Sequence, residues 1–268
     1  MAKVAFVLSG GGSLGAVQVG MARALYERGI VPDLVVGTSA GALNGTFLAA
    51  RPTTLATIDG LLALWRTLDR QDLFPLSVAR SLLGLTGQRR GLLDPSNLRT
   101  LVQTHANIAA IEDATTELHI VATNLLDGRE VLLSKGDVVS AIMASAAIPG
   151  VFPPVERGRE LLVDGGVSNN TPISQALKLG ATTIYVLPTG TACTLRRPPR
   201  NALGVLMHAF SLVLMQRLLA EVAAYDDTAE LVLLPAPCSN DVLPIDFRFT
   251  QRLHDTGYAD ARALLDAR

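Results

Sequence analysis

The chain has 268 residues, of which 49% are hydrophobic and 18% charged, with a formal net charge of −1 at pH 7. That length fits one large α/β domain, and the balanced charge leaves no basic footprint for nucleic acid. Two cysteines, Cys193 and Cys238, lack metal-ligand spacing and are too few for a disulfide framework, so both are expected as reduced thiols, with neither metal nor cofactor bound.

Residues 1–10, MAKVAFVLSG, hold only a short apolar run, unlike a secretory signal, and point to a cytoplasmic protein. The first strand is expected over 3–9, followed by a glycine loop and a helix from about 13 to 28. A second strand over 33–38 leads into a small-residue helix over 40–50. Residues 51–116 then break the alternation and read as a helical insert. Its stretch 73–97 mixes leucines, arginines and glycines in the manner of a lid or an interfacial segment. Further strands are expected over 117–125, 129–134, 159–166, 182–189 and 230–237. Helices are expected over 137–147, 172–179, 203–224 and 250–266. Strands alternating with helices imply an α/β fold with a mostly parallel sheet covered on both faces, in a single domain. The helix over 203–224 is the most apolar long segment, interrupted by Gln216-Arg217, and is expected to lie buried against the sheet.

Two glycine motifs fall at strand ends. Gly10, Gly12 and Gly15 have the G-x-G-x-x-G spacing, which by itself is a weak signal for a nucleotide pyrophosphate. A dinucleotide site needs an acid at the end of the second strand, but this chain has Gly-Thr-Ser there and Asp33 at the strand's start. Gly37-Thr38-Ser39-Ala40-Gly41 is a G-x-S-x-G between a strand and a helix, the setting of a nucleophile elbow. Gly37 and Gly41 permit the tight turn, and the helix start favours negative charge at the serine. The plain alternative for Ser39 is a helix-capping residue.

A serine nucleophile needs a base. His105, His119, His208 and His254 all fall inside predicted helices or a strand, so a triad through His208 or His254 is a weak reading. Asp164 ends a strand and runs into two glycines, at the sheet edge that also carries Ser39. A desolvated aspartate there can take the serine's proton directly. The amides of Gly10, Gly11 and Gly12 would then form an oxyanion hole. Asn169, Asn170 and Thr171 read as a helix start without chemistry.

Together, Gly10–Gly15, Gly37–Gly41, Asp164–Gly166 and the stretch ASAAIPGVFPPV at 144–155 resemble the patatin-like phospholipase family, in the same order over roughly residues 3–190. The resemblance implies a three-layer α/β/α sandwich and a Ser39–Asp164 dyad. It also implies hydrolysis of lipid acyl esters through a covalent acyl-enzyme, without metal or cofactor, and transient contact with a membrane surface. Many members of the family have a basic residue at the position of Leu14, so general ester hydrolysis is the firmer expectation than phospholipid cleavage. The alternatives are an acyltransferase using the same dyad and a nucleotide-binding oxidoreductase using the glycine loop.

Overall fold

The computed structural model describes residues 2–73, 90, 91–190, 198–199, 202–225, 228–238 and 242–268. Most of the expected lid stretch therefore lies outside the described residues. Among the described residues eight strands form one sheet: β1 (Val4–Leu8), β2 (Leu34–Thr38), β3 (Glu117–Asn124), β4 (Glu130–Leu133), β5 (Val155–Arg157), β6 (Glu160–Asp164), β7 (Thr183–Leu187) and β8 (Glu230–Leu233). β1 pairs in parallel with β2 on one flank and β7 on the other; β3 extends this parallel set beyond β2, and β8 beyond β7.

The remaining strands are antiparallel. β4 returns along β3 as a hairpin, and β5 pairs with β6. The register of β6 explains how the site is assembled. Val121 of β3 pairs with Thr38 of β2 on one flank and Leu132 of β4 on the other, while Ala122 pairs with Val131 of β4 and Asp164 of β6. A strand has only two flanks, so β2 and β6 lie end to end along the same one. Their carboxyl ends meet head-on, and Asp164 arrives level with the residue after Thr38. Asp164 ends a strand as expected, but β6 runs against the parallel set, and it is the register that brings the carboxylate to the serine.

Alternate residues of the strands feed two cores, as a two-residue side-chain repeat requires. Phe6, Leu8, Val35 and Ile120 face α1 (Ala16–Tyr26), α2 (Ala40–Ala49), α3 (Leu55–Thr67), α5 (Ser96–His105), α6 (Val138–Ser145) and α9 (Thr250–Asp266); the short α4 (Arg70–Leu73) precedes α5. Ala5, Val7, Leu34, Val36 and Ile184 face α7 (Ile173–Lys178) and α8 (Ala202–Tyr225). The result is a three-layer α/β/α sandwich with a mixed sheet.

α8 departs from expectation. Leu218 is buried and Met215, Val222 and Tyr225 pack on the second core, but Val205, Leu206, Phe210, Leu212 and Val213 are exposed. The helix is fastened near its carboxyl end, where the Glu221 carboxylate accepts the Ser174 N–H (3.1 Å) and hydroxyl (3.2 Å) at the start of α7. Periodicity could not reveal this, because a helix apolar all round reads as buried whether or not anything covers it. Cys238 is also disulfide-bonded rather than the expected reduced thiol.

Candidate active site

β1 and β2 both end at the same edge of the sheet. β1 delivers Ser9-Gly10-Gly11-Gly12, which passes into a 3₁₀ turn (Gly12–Gly15) and α1. β2 delivers Ser39 as the residue before α2. Ser39 has φ 54° and ψ −119°, a left-handed conformation that side-chain-bearing residues seldom adopt. Such strain is of order 1–3 kcal/mol and persists only where the surroundings impose it. Here they do: a β-carbon on Gly41 would lie 2.2 Å from the Leu8 carbonyl oxygen, and one on Gly37 would lie 2.4 Å from the Gly41 carbonyl oxygen. The two flanking glycines let strand, turn and helix pack at backbone contact, which holds the buried Ser39 in the tight turn.

The Ser39 hydroxyl makes no capping bond to α2. It donates instead to Asp164 Oδ2 at 2.7 Å. This disposes of the plain capping alternative. The Ser39 amide donates to Ser145 Oγ at 2.7 Å, and that hydroxyl donates to the Val121 carbonyl at 2.6 Å. Asp164 is held by its own neighbours: Oδ1 accepts the Gly166 amide (2.7 Å), its amide donates to the Ala147 carbonyl (2.9 Å), and its carbonyl accepts the Thr123 hydroxyl (2.9 Å).

Burial pushes the Asp164 carboxyl up from 3.8 to about 6, against the hydrogen bonds from Ser39 and Gly166 that favour its charged form. A carboxylate with that pKa is ionised near neutral pH yet basic enough to take a proton. Among the described residues no histidine bonds to Ser39 or Asp164. His119 bonds to Ser134 (2.6 Å) and Glu117 (2.9 Å), and His254 to Asp255 (2.9 Å). His105 closes α5, and His208 lies on α8.

The glycine loop lies against the serine: a β-carbon on Gly10 would stand 3.1 Å from Ser39 Cβ. One correction follows for the expected oxyanion donors. The Gly10 amide already donates to the Asn170 carbonyl at 3.2 Å, so it is committed to the fold. The amides of Gly11 and Gly12 carry no such bond among the described residues. A side chain on Gly11 would collide with Thr189 Oγ1 at 2.1 Å, and Gly12 has φ 58°, so both positions favour glycine. Leu14 is buried in the first core. Asp33 pairs with the start of β1 through Val4 (2.9 Å), far from any ribose position at the strand's other end. Among the described residues no group of three or more His, Cys, Asp or Glu side chains could hold a metal ion.

Two supporting residues escape a reading of the sequence. Asn170 accepts from Gly10 through its carbonyl and donates to the Gly10 carbonyl through Nδ2 (3.4 Å), pinning the loop. Ser145 positions the serine's backbone; its only sequence signal is its place in the 144–155 stretch. Ser145→Ala is expected to leave the buried Ser39 amide without an acceptor, destabilising the protein by about 1–3 kcal/mol. A lowered urea midpoint with unchanged slope checks this.

The family model described as Patatin-like phospholipase matches residues 6–177, which include the glycine loop, Ser39 and Asp164. The chain belongs to the patatin-like phospholipase family. Patatin-like relatives include an uncharacterized NTE family protein of Mycobacterium tuberculosis, 32% identical over 166 residues that cover 62% of this chain and 27% of the relative. Lysophospholipase NTE1 of Mycosarcoma maydis is 30% identical over 197 residues, covering 70% of this chain and 10% of the relative. The chain thus spans only about a quarter or less of the length of these curated relatives. VipD from Legionella pneumophila shares the patatin-like fold, with a TM-score of 0.54 at 17% identity, covering 99% of this chain and 67% of that one.

Proposed function

We propose that this patatin-like chain is a serine acyl hydrolase acting as one domain on carboxylic esters of lipids. The observation that carries the reading is the 2.7 Å bond from the Ser39 hydroxyl, at the positive-φ turn, to a buried Asp164 whose pKa is raised. The names of its relatives, lysophospholipase among them, support a lipid ester as substrate.

In the proposed reaction Asp164 takes the hydroxyl proton as Ser39 Oγ attacks the ester carbonyl. The carbonyl oxygen becomes an oxyanion that accepts from the Gly11 and Gly12 amides. Collapse of the adduct breaks the bond to the alcohol, which takes the proton from Asp164 and departs. Water then repeats the sequence on the acyl-enzyme: it loses a proton to Asp164 and attacks the carbonyl, and collapse of the adduct breaks the ester bond to Ser39, whose oxygen takes the proton back from Asp164 as the fatty acid leaves. A cavity of about 400 Å³ is bordered by Met143, Ala146 and Phe152, with Arg90 and Arg99 on its wall; Ser39 and Asp164 do not line it, and its nearest link to them in the chain is Ala147, next to Ala146, whose carbonyl accepts the Asp164 amide. The site would meet its substrate from the cytoplasm or at a membrane surface.

Turnover of p-nitrophenyl esters from acetyl to palmitoyl tests the activity, with an optimum at longer chains expected for a lipid substrate. An added alcohol that captured most of the acyl group would instead favour an acyltransferase. The base must be ionised to act, so kcat/KM is expected to rise tenfold per pH unit below about 6 and to level off above it. A limb centred near 4 or near 8 would take Asp164 out of that role.

A further inference from the structure

We propose that Asn44 positions the oxyanion donors of the proposed hydrolase. It fastens the glycine loop to the helix that presents Ser39, with Gln18 holding the loop's other end and Trp65 holding Asn44. The inference rests on the acyl-hydrolase reading and assigns what keeps the two donor amides in register with the nucleophile.

The loop leaves β1 at Ser9 and enters α1 through Gly15. The carbonyls at both points are met by side chains. Gln18 Nε2 donates to the Ser9 carbonyl (2.9 Å) and to the Leu187 carbonyl (2.8 Å), which also accepts the Ser9 amide (3.2 Å). Asn44 Nδ2 donates to the Gly15 carbonyl (2.9 Å) and to Gln18 Oε1 (2.9 Å), and Asn44 Oδ1 accepts the Trp65 indole N–H (2.7 Å). Ser9, Gln18, Asn44 and Trp65 are each no more than 3% exposed.

One orientation of this chain of bonds satisfies every donor. Main-chain carbonyls only accept, so the Gln18 NH2 group must face Ser9 and Leu187, which turns its oxygen to Asn44. The Gly15 carbonyl and the Gln18 oxygen both need donors, so the Asn44 oxygen is left to the indole, which only donates. Buried carboxamides destabilise a fold unless they are fully paired, and apolar side chains would fill the same space without that risk. Here the pairing is complete, and its main-chain partners are the two ends of the glycine loop and the end of β7 beside it.

Asn44 lies on α2 just past the first turn, where the Ser39 carbonyl accepts the Ala42 and Leu43 amides. A single helix thus fixes both the nucleophile and the Gly15 end of the loop. The contact is close: a β-carbon on Gly15 would stand 2.8 Å from two ring carbons of Trp65 and 3.1 Å from Ala40 Cβ. Trp65 belongs to α3, and Phe247 stacks on its indole with ring centroids 6.1 Å apart. Between the two held ends, the Gly11 and Gly12 amides carry no bond among the described residues. Donors fixed before the substrate arrives stabilise a developing oxyanion without reorganising. They act on the transition state more than on the bound ester, so displacing them lowers kcat and kcat/KM together and leaves KM nearly unchanged.

The test compares wild type, Asn44→Asp, Trp65→Phe and Ile184→Ala. The readouts are kcat and KM on p-nitrophenyl butyrate, the rate at which an alkyl fluorophosphonate labels Ser39, and a thermal melt. Asn44→Asp is nearly isosteric and keeps an acceptor for Trp65 but loses both amide donors. Its kcat is expected to fall about 10²-fold with KM within about twofold, and labelling of Ser39 should slow in proportion. Trp65→Phe releases Asn44 Oδ1 and leaves the bonds to the loop in place; a loss of about tenfold in kcat is expected, and this variant carries the test if Asn44→Asp does not fold. Ile184→Ala opens a cavity in the second core, so it should melt lower while keeping kcat within about twofold. A folded Asn44→Asp or a Trp65→Phe with wild-type kcat overturns the positioning role, as does a loss confined to KM. An equal loss of kcat in Ile184→Ala also overturns it, because the effect would then be one of stability. A wild type with no turnover and no label on Ser39 would instead overturn the hydrolase reading, and this inference with it.

Discussion

Replacing Ser39 with alanine is expected to lower ester turnover by at least about 10³-fold, because the hydroxyl proposed to form the acyl-enzyme, the one bonded to the buried Asp164, is then missing. The fold should survive, since among the described residues the lost hydroxyl bonds only to Asp164 and takes no part in capping α2. Ser39→Gly should lose as much activity while gaining stability, as glycine accepts φ 54° without strain. Turnover of a p-nitrophenyl ester together with a thermal melt reads both effects. Comparable melting of the alanine and wild-type proteins, with a higher midpoint for glycine, is the expected pattern.

The second large effect lies at Asp164. Asp164→Asn is nearly isosteric and keeps an oxygen for the Gly166 amide, but it cannot take a proton; kcat/KM is expected to fall by about 10²–10⁴-fold. Its effect on stability should have the opposite sign. A carboxyl whose pKa is raised from 3.8 to about 6 on folding binds its proton more tightly in the folded state. Folding therefore loses stability as the pH climbs between those two values, and the full deficit, about 3 kcal/mol, persists above pH 6. The asparagine variant escapes it. Its melting temperature is expected to exceed the wild type's by roughly 5–10 °C at pH 8, with the difference shrinking as the pH falls below 6 and gone near 4. A variant that is less stable than wild type at pH 8 would mean that the carboxylate is a structural brace rather than a strained base.

Much of this arrangement is legible in the sequence because it is local. A glycine-flanked serine between a strand and a helix, and an aspartate ahead of two glycines, are backbone requirements written into neighbouring residues. The strands and helices around them fall close to their expected bounds for the same reason. What is not legible depends on residues far apart in the chain. The direction of β6 is set by its pairing with β3, forty residues earlier, so the head-on meeting of Asp164 with Ser39 emerges only from the register. Asn170 looks like an ordinary helix start, yet it occupies the Gly10 amide and narrows the oxyanion donors to Gly11 and Gly12. β5 is three residues long, too short to carry a period. The exposure of α8 is invisible for a further reason: hydrophobicity records a preference for leaving water, and is silent on whether protein or lipid receives the side chain.

The most direct test of the central claim is the intact mass of the protein after reaction with an alkyl fluorophosphonate, followed by peptide mapping. The account predicts one adduct, located on Ser39, absent from Ser39→Ala and slowed strongly in Asp164→Asn. An unmodified protein, or an adduct on any other residue that forms equally well in Ser39→Ala, would contradict it.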